Sequence, residues 1–240
     1  ALNPVYTVGD QLMETIRLHQ DVSRKEAHDI AAQALADVQI PNAKARLDDY
    51  PHQFSGGMRQ RVMIAMGLSC APDLLIADEP TTALDVTTQA QIMDLMLTLA
   101  DERNTAVLLI THDLGVVAGF CDEVQVMYAG GIVESGTADE IFHNPQHPYT
   151  WGLLGSMTRL DEAQQVRLHS IAGAPPSVID LPIGCRFRPR CEFAVDICGR
   201  VLPPLLDVEG RRVACHRAAE LDLKLLDVRL AAQRDQERAS

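Results

Sequence analysis

Two short apolar runs, each ending abruptly in ionisable residues, constrain this chain most. Asp73-Leu-Leu-Ile-Ala77 runs into Asp78-Glu79-Pro80, and Ala106-Val-Leu-Leu-Ile110 runs into Thr111-His112-Asp113. Runs this short and this uniformly apolar are expected of strands buried on both faces, as in a parallel sheet. Between them Ile92, Leu95, Met96 and Leu99 recur at helical spacing, predicting a helix from Thr87 to about Arg103. A further helix is expected over Asp113–Phe120. Strand, helix, strand, helix predicts an α/β layer with a partly parallel sheet.

The flanking segments read differently. Residues 1–70 are expected to be mostly helical, with Leu12, Ile16 and His19 at helical spacing. Ser23 and Glu26 form a capping box for a helix reaching about Val38. Val124–Tyr128 and Ile132–Glu134 flank Ala129-Gly130-Gly131, which predicts a hairpin, and Thr137 with Glu140 caps a short helix through Phe142. The chain then breaks and restarts over Asn144–Thr150, with Pro148 suited to the first position of a helix. Pro175-Pro176 and Pro182 lead into a cysteine-rich stretch, and Ala218–Glu237 has a helical composition. No internal repeat is visible.

Length and composition bound the classes open to the chain. At 240 residues and 47% hydrophobic content it can bury a substantial core. No apolar run approaches the roughly 20 residues that cross a bilayer, and no basic-then-apolar leader opens the sequence. Any link to a membrane is therefore expected through a partner. A net charge of −12 disfavours broad nucleic-acid binding, which needs a basic surface to displace counterions. From Leu181 to Arg217, however, seven arginines face four acids, a local +3 that leaves −15 elsewhere. Four of the six cysteines lie in this basic island.

The candidate chemistry begins at Ser55-Gly56-Gly57, which opens the helical pattern through Met63, Ile64 and Met66. Free amides and the helix dipole make such an end attractive to anions, and glycine lets a phosphate approach the backbone closely. A lone Ser-Gly-Gly would read as an ordinary capped helix; Asp78-Glu79 downstream changes that reading. Two adjacent carboxylates repel, so a bound cation is a natural partner for them. His112 closes its strand in the same way as Glu79 closes the first. A phosphate-gripping Gly-x-x-x-x-Gly-Lys-[Ser/Thr] loop is absent: the three lysines are Lys25, Lys44 and Lys224, and none follows a glycine.

Tyr50-Pro-His-Gln-Phe-Ser-Gly-Gly-Met-Arg-Gln-Arg61, Leu74–Pro80, Thr81-Thr-Ala-Leu-Asp85 and His112 resemble, in order and spacing, the signature, Walker B, D-loop and switch-histidine motifs of ABC transporter ATPases. The resemblance implies the C-terminal part of such a subunit: a partial P-loop NTPase core with a helical subdomain. It implies that Ser55, Gly56 and Gly57 close on the γ-phosphate of ATP held by a second ATPase subunit. Asp78 would help to hold Mg2+, Glu79 would act as general base or polarise the attacking water, and His112 would contact the γ-phosphate. Asp85 would couple two nucleotide sites across a dimer. Gln53, Met58, Arg59, Gln60 and Arg61 are expected to shape the helix rather than perform chemistry, and Cys70 and Cys121 to be buried thiols. Without its own phosphate grip the chain alone is expected to be inactive.

His147-Pro-Tyr-Thr150, Leu153-Leu154, Gly173-Ala-Pro-Pro176 and Gly184-Cys-Arg-Phe-Arg-Pro-Arg-Cys191 are similar to the C-terminal extension of oligopeptide and dipeptide importer ATPases. Cys185, Cys191, Cys198 and Cys215 form a C-x5-C-x6-C-x16-C array, wider than common zinc knuckles. Four thiolates can hold an iron–sulfur cluster, whose negative charge Arg186, Arg188, Arg190, Arg200 and Arg212 could offset. The resemblance also points to a [4Fe–4S] cluster; zinc is the alternative, with His216 as a possible substitute ligand, and free or disulfide-linked thiols a third reading. A structural role for the group is expected rather than a redox one.

The expected organisation is a helical subdomain (1–72), part of an ATPase core (73–143), a small C-terminal cysteine-rich domain (144–220) and a helical tail (221–240). The implied activity is ATP-driven import of di- or oligopeptides, peripheral to the cytoplasmic face of the inner or plasma membrane. The implied partners are a second ATPase subunit, transmembrane permease subunits and, indirectly, a peptide-binding protein, with no nucleic acid. Two rivals are a non-catalytic Fe–S or zinc interaction module and a DNA-associated ABC ATPase.

Overall fold

The structure is a computed structural model that describes residues 2–82, 84–156, 171–177, 179–208 and 210–223. The chain divides into two compact units, Ala1–Val116 and Val117–Ser240. The first opens with helices α1 (Val8–His19), α2 (Arg24–Asp37), α3 (Ala43–Arg46) and α4 (Gly56–Leu68). Leu12 and Ile16 of α1 are fully buried, whereas His19 faces solvent. Ala27, Ala31 and Ala34 line the inner face of α2, small enough for α1 and α4 to approach closely. Ser23 and Glu26 make the reciprocal capping box expected from their spacing.

Strand β1 (Leu74–Asp78), helix α5 (Val86–Glu102) and strand β2 (Ala106–Ile110) form the α/β element read from the sequence. The strands are parallel, with Leu74 opposite Ala106 and Asp78 opposite Ile110. Arg103, just past α5, donates to Asp37 Oδ2 at 2.5 Å and to the Leu68 carbonyl at 2.8 Å. It thereby fixes α5 against α2 and α4.

The expectation that both strand faces are buried is corrected here. Leu75, Ala77, Val107 and Leu109 point to the covered face, where the α4 glycine Gly67 lies close to the Leu75 side chain. On the other face Leu74, Ile76, Leu108 and Ile110 are 51%, 59%, 49% and 47% exposed. The reason is topological: among the described residues β1 and β2 pair only with each other, so no third strand or second layer covers that face. Cys70 and Cys121 are half-buried rather than buried.

Helix α6 (Leu114–Phe120) runs across the unit boundary. The second unit contains the expected hairpin, β3 (Glu123–Tyr128) and β4 (Gly131–Thr137), then α7 (Ala138–His143) and α8 (Pro148–Gly155). Pro148 occupies the first turn of α8, as read from the sequence. Two short strands that the sequence does not announce, β5 (Leu206–Val208) and β6 (Arg211–Val213), complete an antiparallel sheet of order β3-β4-β6-β5. Val126, Tyr128, Val133, Ile141 and Phe187 form the core over it, with Tyr128 edge-on to Phe187 at 5.2 Å. All of the expected helical tail beyond Leu223 lies outside the described residues.

This unit is pinned by buried polar groups. Glu134 is fully buried, and its carboxylate accepts the Gln146 and His147 amides at 2.6 and 3.0 Å. Burial pushes its pKa up, against the opposing pull of the Thr150 hydroxyl, those amides and Arg211. Arg211, also buried, donates to the Glu140 and Asn144 carbonyls at the end of α7. His147 caps α8 by accepting the Tyr149 amide on Nδ1 at 3.0 Å, while its ring N–H meets the Ala214 carbonyl.

Burial lowers the His147 pKa to about 4. The unfolded chain takes up a proton near pH 6.5 that the folded unit refuses. Stability is thus fully present above about pH 6.5 and declines as pH falls toward 4, by roughly 3 kcal/mol in all. Denaturant unfolding of this unit across that range should show the decline. His147→Asn, which keeps a capping acceptor but cannot titrate, should flatten it.

Candidate functional site

The parallel register sets Asp78 opposite Ile110, and one step beyond the ladder the Glu79 amide donates to the Ile110 carbonyl at 2.8 Å. Glu79 there adopts φ +49°, a left-handed conformation uncommon for residues other than glycine. Holding it is worth about 1–3 kcal/mol of strain, a cost the surrounding bonds must offset. The bent backbone presents the carboxylate to the loop that follows β2. Glu79 Oε1 lies 2.6 Å from His112 Nδ1, and Oε2 accepts the Thr82 hydroxyl at 2.7 Å. Two expected site residues, 33 positions apart, are therefore in direct contact.

Both groups are exposed, and each alters the other's titration. The Thr82 hydroxyl and then His112 hold the Glu79 carboxyl below its ordinary value. The bond to Glu79, with the Glu79 and Asp113 charges, raises the His112 pKa. The charged contact is lost at low pH as Glu79 protonates through its lowered value. It is lost at high pH as His112 deprotonates through its raised one.

Asp113 anchors the loop on its far side. Its Oδ1 accepts the Gly115 and Val116 amides at 2.9 and 3.3 Å, starting α6, while Oδ2 accepts Gln89 Nε2 at 2.7 Å. Those bonds, Gln89 foremost, lower the Asp113 pKa. Gln89, Asp113 and Thr82 are contacts that sequence reasoning did not single out. An Asp two residues before Gly115 is a recognisable capping pattern, but nothing local marks Gln89.

Asp78 ends β1 on the open face and is exposed. Asp85 is the N-cap of α5: its carboxylate accepts the Thr88 amide at 2.9 Å and the Thr88 hydroxyl at 2.7 Å. Ala83, between them, lies outside the described residues. Ser55 caps α4 by accepting the Met58 amide at 3.3 Å, and Gly56 and Gly57 form the first helical turn. Their amides sit where no intrahelical acceptor precedes them, a surface suited to an anion. Glycine at 57 also has a packing cause. A Cβ there would come within 2.9 Å of Thr88 Cγ2, so the α4 turn rests directly on the start of α5.

In the second unit Cys185, Cys191, Cys198 and Cys215 all line one small void of about 20 Å³, with His147, Phe187 and Phe193. None is in a disulfide. Burial raises the pKa of Cys185, Cys191 and Cys215, with the neighbouring sulfurs adding to it, and pushes Cys191 to about 11. Gly184, at φ +81°, makes the gathering possible, because a Cβ there would lie 2.4 Å from the Cys198 carbonyl oxygen. The Cys185 amide donates to that same carbonyl at 2.8 Å. Among the described residues, no three His, Cys, Asp or Glu side chains converge closely enough to hold a single metal ion.

The arginines around the thiols act largely as staples. Arg186 donates to the Ala129 carbonyl, and Arg190 to the Ala172 and Ile171 carbonyls. His216, a possible substitute ligand, lines the same void and sets Nε2 2.8 Å from the Val201 carbonyl.

Comparison with known proteins bears on both units. The profile of the ABC transporter family matches residues 1–82, and that of the oligopeptide/dipeptide transporter C-terminal region matches residues 133–198. The chain is 53% identical to the oligopeptide transport ATP-binding protein OppD of Salmonella typhimurium, over 92% of this chain and 65% of that one. It is 55% identical to OppD of Haemophilus influenzae, over 92% of this chain and 68% of that protein. The dipeptide transport ATP-binding protein DppD of Haemophilus influenzae is 50% identical, over 90% and 65%. The chain thus spans about two thirds of the length of these relatives. Among solved structures it resembles a dimeric ATP-binding cassette in a post-hydrolysis state with ADP and phosphate. That match has TM-score 0.50 and 28% identity, over 57% of this chain and 59% of that one.

The Glu79–His112 contact has a direct solution signature. Followed by NMR, the His112 imidazole should titrate above the ordinary histidine value of about 6.5. It should fall back toward that value in Glu79→Gln. An unaltered His112 titrating at or below the ordinary value would mean that the contact does not form.

Proposed function

The chain belongs to the ABC transporter ATPase family, in its oligopeptide and dipeptide branch, and from that premise we propose that it is part of the ATP-hydrolysing subunit of a peptide importer. The observation that carries the reading is the Glu79–His112 contact at the ends of two parallel strands, with Asp78 alongside. A carboxylate at a strand end, oriented by a histidine and a hydroxyl, is suited to take a proton from an attacking water. His112, whose pKa that contact raises, is suited to face a phosphoryl oxygen. In this reading ATP brings Mg2+, for which Asp78 is the available carboxylate. Ser55, Gly56 and Gly57 present backbone amides to the γ-phosphate of a nucleotide held by a second ATPase subunit. Asp85, through its α5 cap, couples the two sites.

The remaining partners follow as part of the proposal. Permease subunits would dock on the helical region within residues 1–72, and a peptide-binding protein would act through them. The subunit would sit peripherally at the cytoplasmic face of the membrane; among the described residues no helix is long and apolar enough to cross it. Residues 73–143 would serve as the ATPase part and residues 144–220 as the branch-specific domain. This stretch of sequence would not turn over ATP by itself, because it contains no Gly-x-x-x-x-Gly-Lys-[Ser/Thr] segment.

Glu79→Gln in the intact subunit should reduce ATP turnover by about 100-fold or more while leaving ATP binding unchanged. Undiminished hydrolysis would remove Glu79 from its role.

We also propose that Cys185, Cys191, Cys198 and Cys215 hold a [4Fe–4S] cluster with a structural role, zinc being the alternative. The donor set fits by number and chemistry: four reduced thiols around one shared void, each able to ligate iron. The volume of the void argues for neither. Anaerobic treatment with ferrous iron and sulfide should load about four irons per chain, and Cys191→Ser should abolish loading. Stoichiometric zinc uptake without iron would favour the alternative.

A further inference from the structure

The Glu79–His112 pair is braced by two further residues, one bonded to Glu79 itself and one bonded to the neighbour of His112. Each oxygen of the Glu79 carboxylate has one partner, and the partner of Oε2 is the Thr82 hydroxyl at 2.7 Å. The Thr82 amide also donates to the Glu79 carbonyl at 3.2 Å, so backbone and side chain of one turn both bind residue 79. Thr82 thus fixes the carboxylate's rotation about its last bond, which a single contact to His112 would leave free.

Among the described residues His112 has no such direct brace on its own side, but its neighbour does. Asp113 spends one carboxylate oxygen on the first amides of α6 and gives the other to Gln89, one turn into α5. The Asp113 amide is bound in turn by the Thr111 hydroxyl at 3.0 Å, so residues 111–113 have little freedom to swing. Gln89 is therefore the link that ties the His112 loop to α5, and α5 is the helix that begins immediately after the Glu79–Thr82 turn. Three side-chain hydrogen bonds thus tie the two loops at the strand ends to each other and to α5: Thr82 to Glu79, Glu79 to His112, and Asp113 to Gln89.

We infer that Thr82 and Gln89 are positioning residues for the Glu79–His112 pair, Thr82 acting through Glu79 Oε2 and Gln89 acting through Asp113. The inference rests on the reading of Glu79 as the catalytic carboxylate. A base that must meet a water and a phosphoryl group is sensitive to small displacements, and misplacement on the scale of an ångström can lower rate about 100-fold. Neither residue needs to contact the nucleotide for its loss to be felt. Loss should appear in turnover rather than in nucleotide affinity.

The test is steady-state ATP hydrolysis by the intact subunit carrying Thr82→Val, Thr82→Ser, Gln89→Leu or Glu79→Gln, with ATP affinity measured separately. Thr82→Val, which keeps the shape and removes the hydroxyl, should lower kcat about tenfold or more with KM for ATP within about twofold. Thr82→Ser, which restores the hydroxyl, should return kcat to within about twofold of the unaltered protein. Gln89→Leu should lower kcat in the same way, without change in KM. In a Glu79→Gln background, Thr82→Val should have no further effect, because the group it positions is already lost. If Glu79→Gln abolishes turnover while Thr82→Val and Gln89→Leu retain full kcat, positioning by these residues is overturned and the role of Glu79 stands. If Glu79→Gln itself turns over normally, the catalytic reading fails first. A fall in kcat that serine does not rescue would assign Thr82 to packing and also overturn the inference.

Discussion

The parallel pairing of β1 with β2 is the constraint on which the candidate site depends. Its register places the last residue of one strand opposite the last residue of the other, and the Glu79 amide continues the ladder onto the Ile110 carbonyl. That one bond carries residue 79 past the end of the strand with φ +49°. Slipping the register by one residue would turn every β1 side chain to the opposite face. Leu75 and Ala77 would leave the covered face, and Glu79 would no longer meet His112. Burial of the covered apolar face therefore fixes, indirectly, the distance between two exposed polar groups.

The second unit solves a different problem with different means. Among the described residues its cysteine region offers little regular structure, the short strands β5 and β6 and two 3-10 turns. Its backbone carbonyls are satisfied by arginine side chains: Arg186, Arg190, Arg211 and Arg217 each donate to at least one. Glu134 does the converse, accepting amides from the break between α7 and α8. Removing one member of such a network leaves a buried polar group without its partner, a loss of about 1–3 kcal/mol for a neutral group and more for a charged one. The arginine richness of the island is thus accounted for first by chain anchoring. The positive charge that it places beside four thiols comes with that anchoring.

What was legible in the sequence divides along the same physical line. The strands, the helix between them, the two capping boxes and the Pro148 helix start were all readable, because each is written in local spacing and local donor–acceptor chemistry. The candidate residues Glu79 and His112 were readable as strand ends, though their contact was not. The burial of β1 and β2 was misread, because an apolar run reports what a strand can bury rather than what covers it. β5 and β6 were missed because three-residue strands carry too little pattern, and β6, which pairs with β5, joins the sheet through β4, where Glu134 lies opposite Val213. Gln89 and Glu134 were missed for a related reason. Their partners are distant in sequence or are backbone amides, and a glutamine or glutamate in an otherwise ordinary segment reads as surface.

The open face of the two-stranded sheet bears on how firmly the site is held. Parallel strands are ordinarily covered on both sides, and two strands alone rarely make a stable sheet. Leu74, Ile76, Leu108 and Ile110 each leave about half of their surface to water, and full burial of such a side chain stabilises by about 1.5–3 kcal/mol. Covering the four would therefore add several kcal/mol to the very strands whose ends carry Asp78, Glu79 and His112. The ladder bond and the left-handed turn at Glu79 are only as rigid as the strands that precede them. Cover over that face would act on the geometry of Glu79 and His112 through the stiffness of β1 and β2. The hydrogen-bonded strand ends and the apolar face behind them are thus two parts of one device, the first setting the positions of Glu79 and His112 and the second holding those positions still.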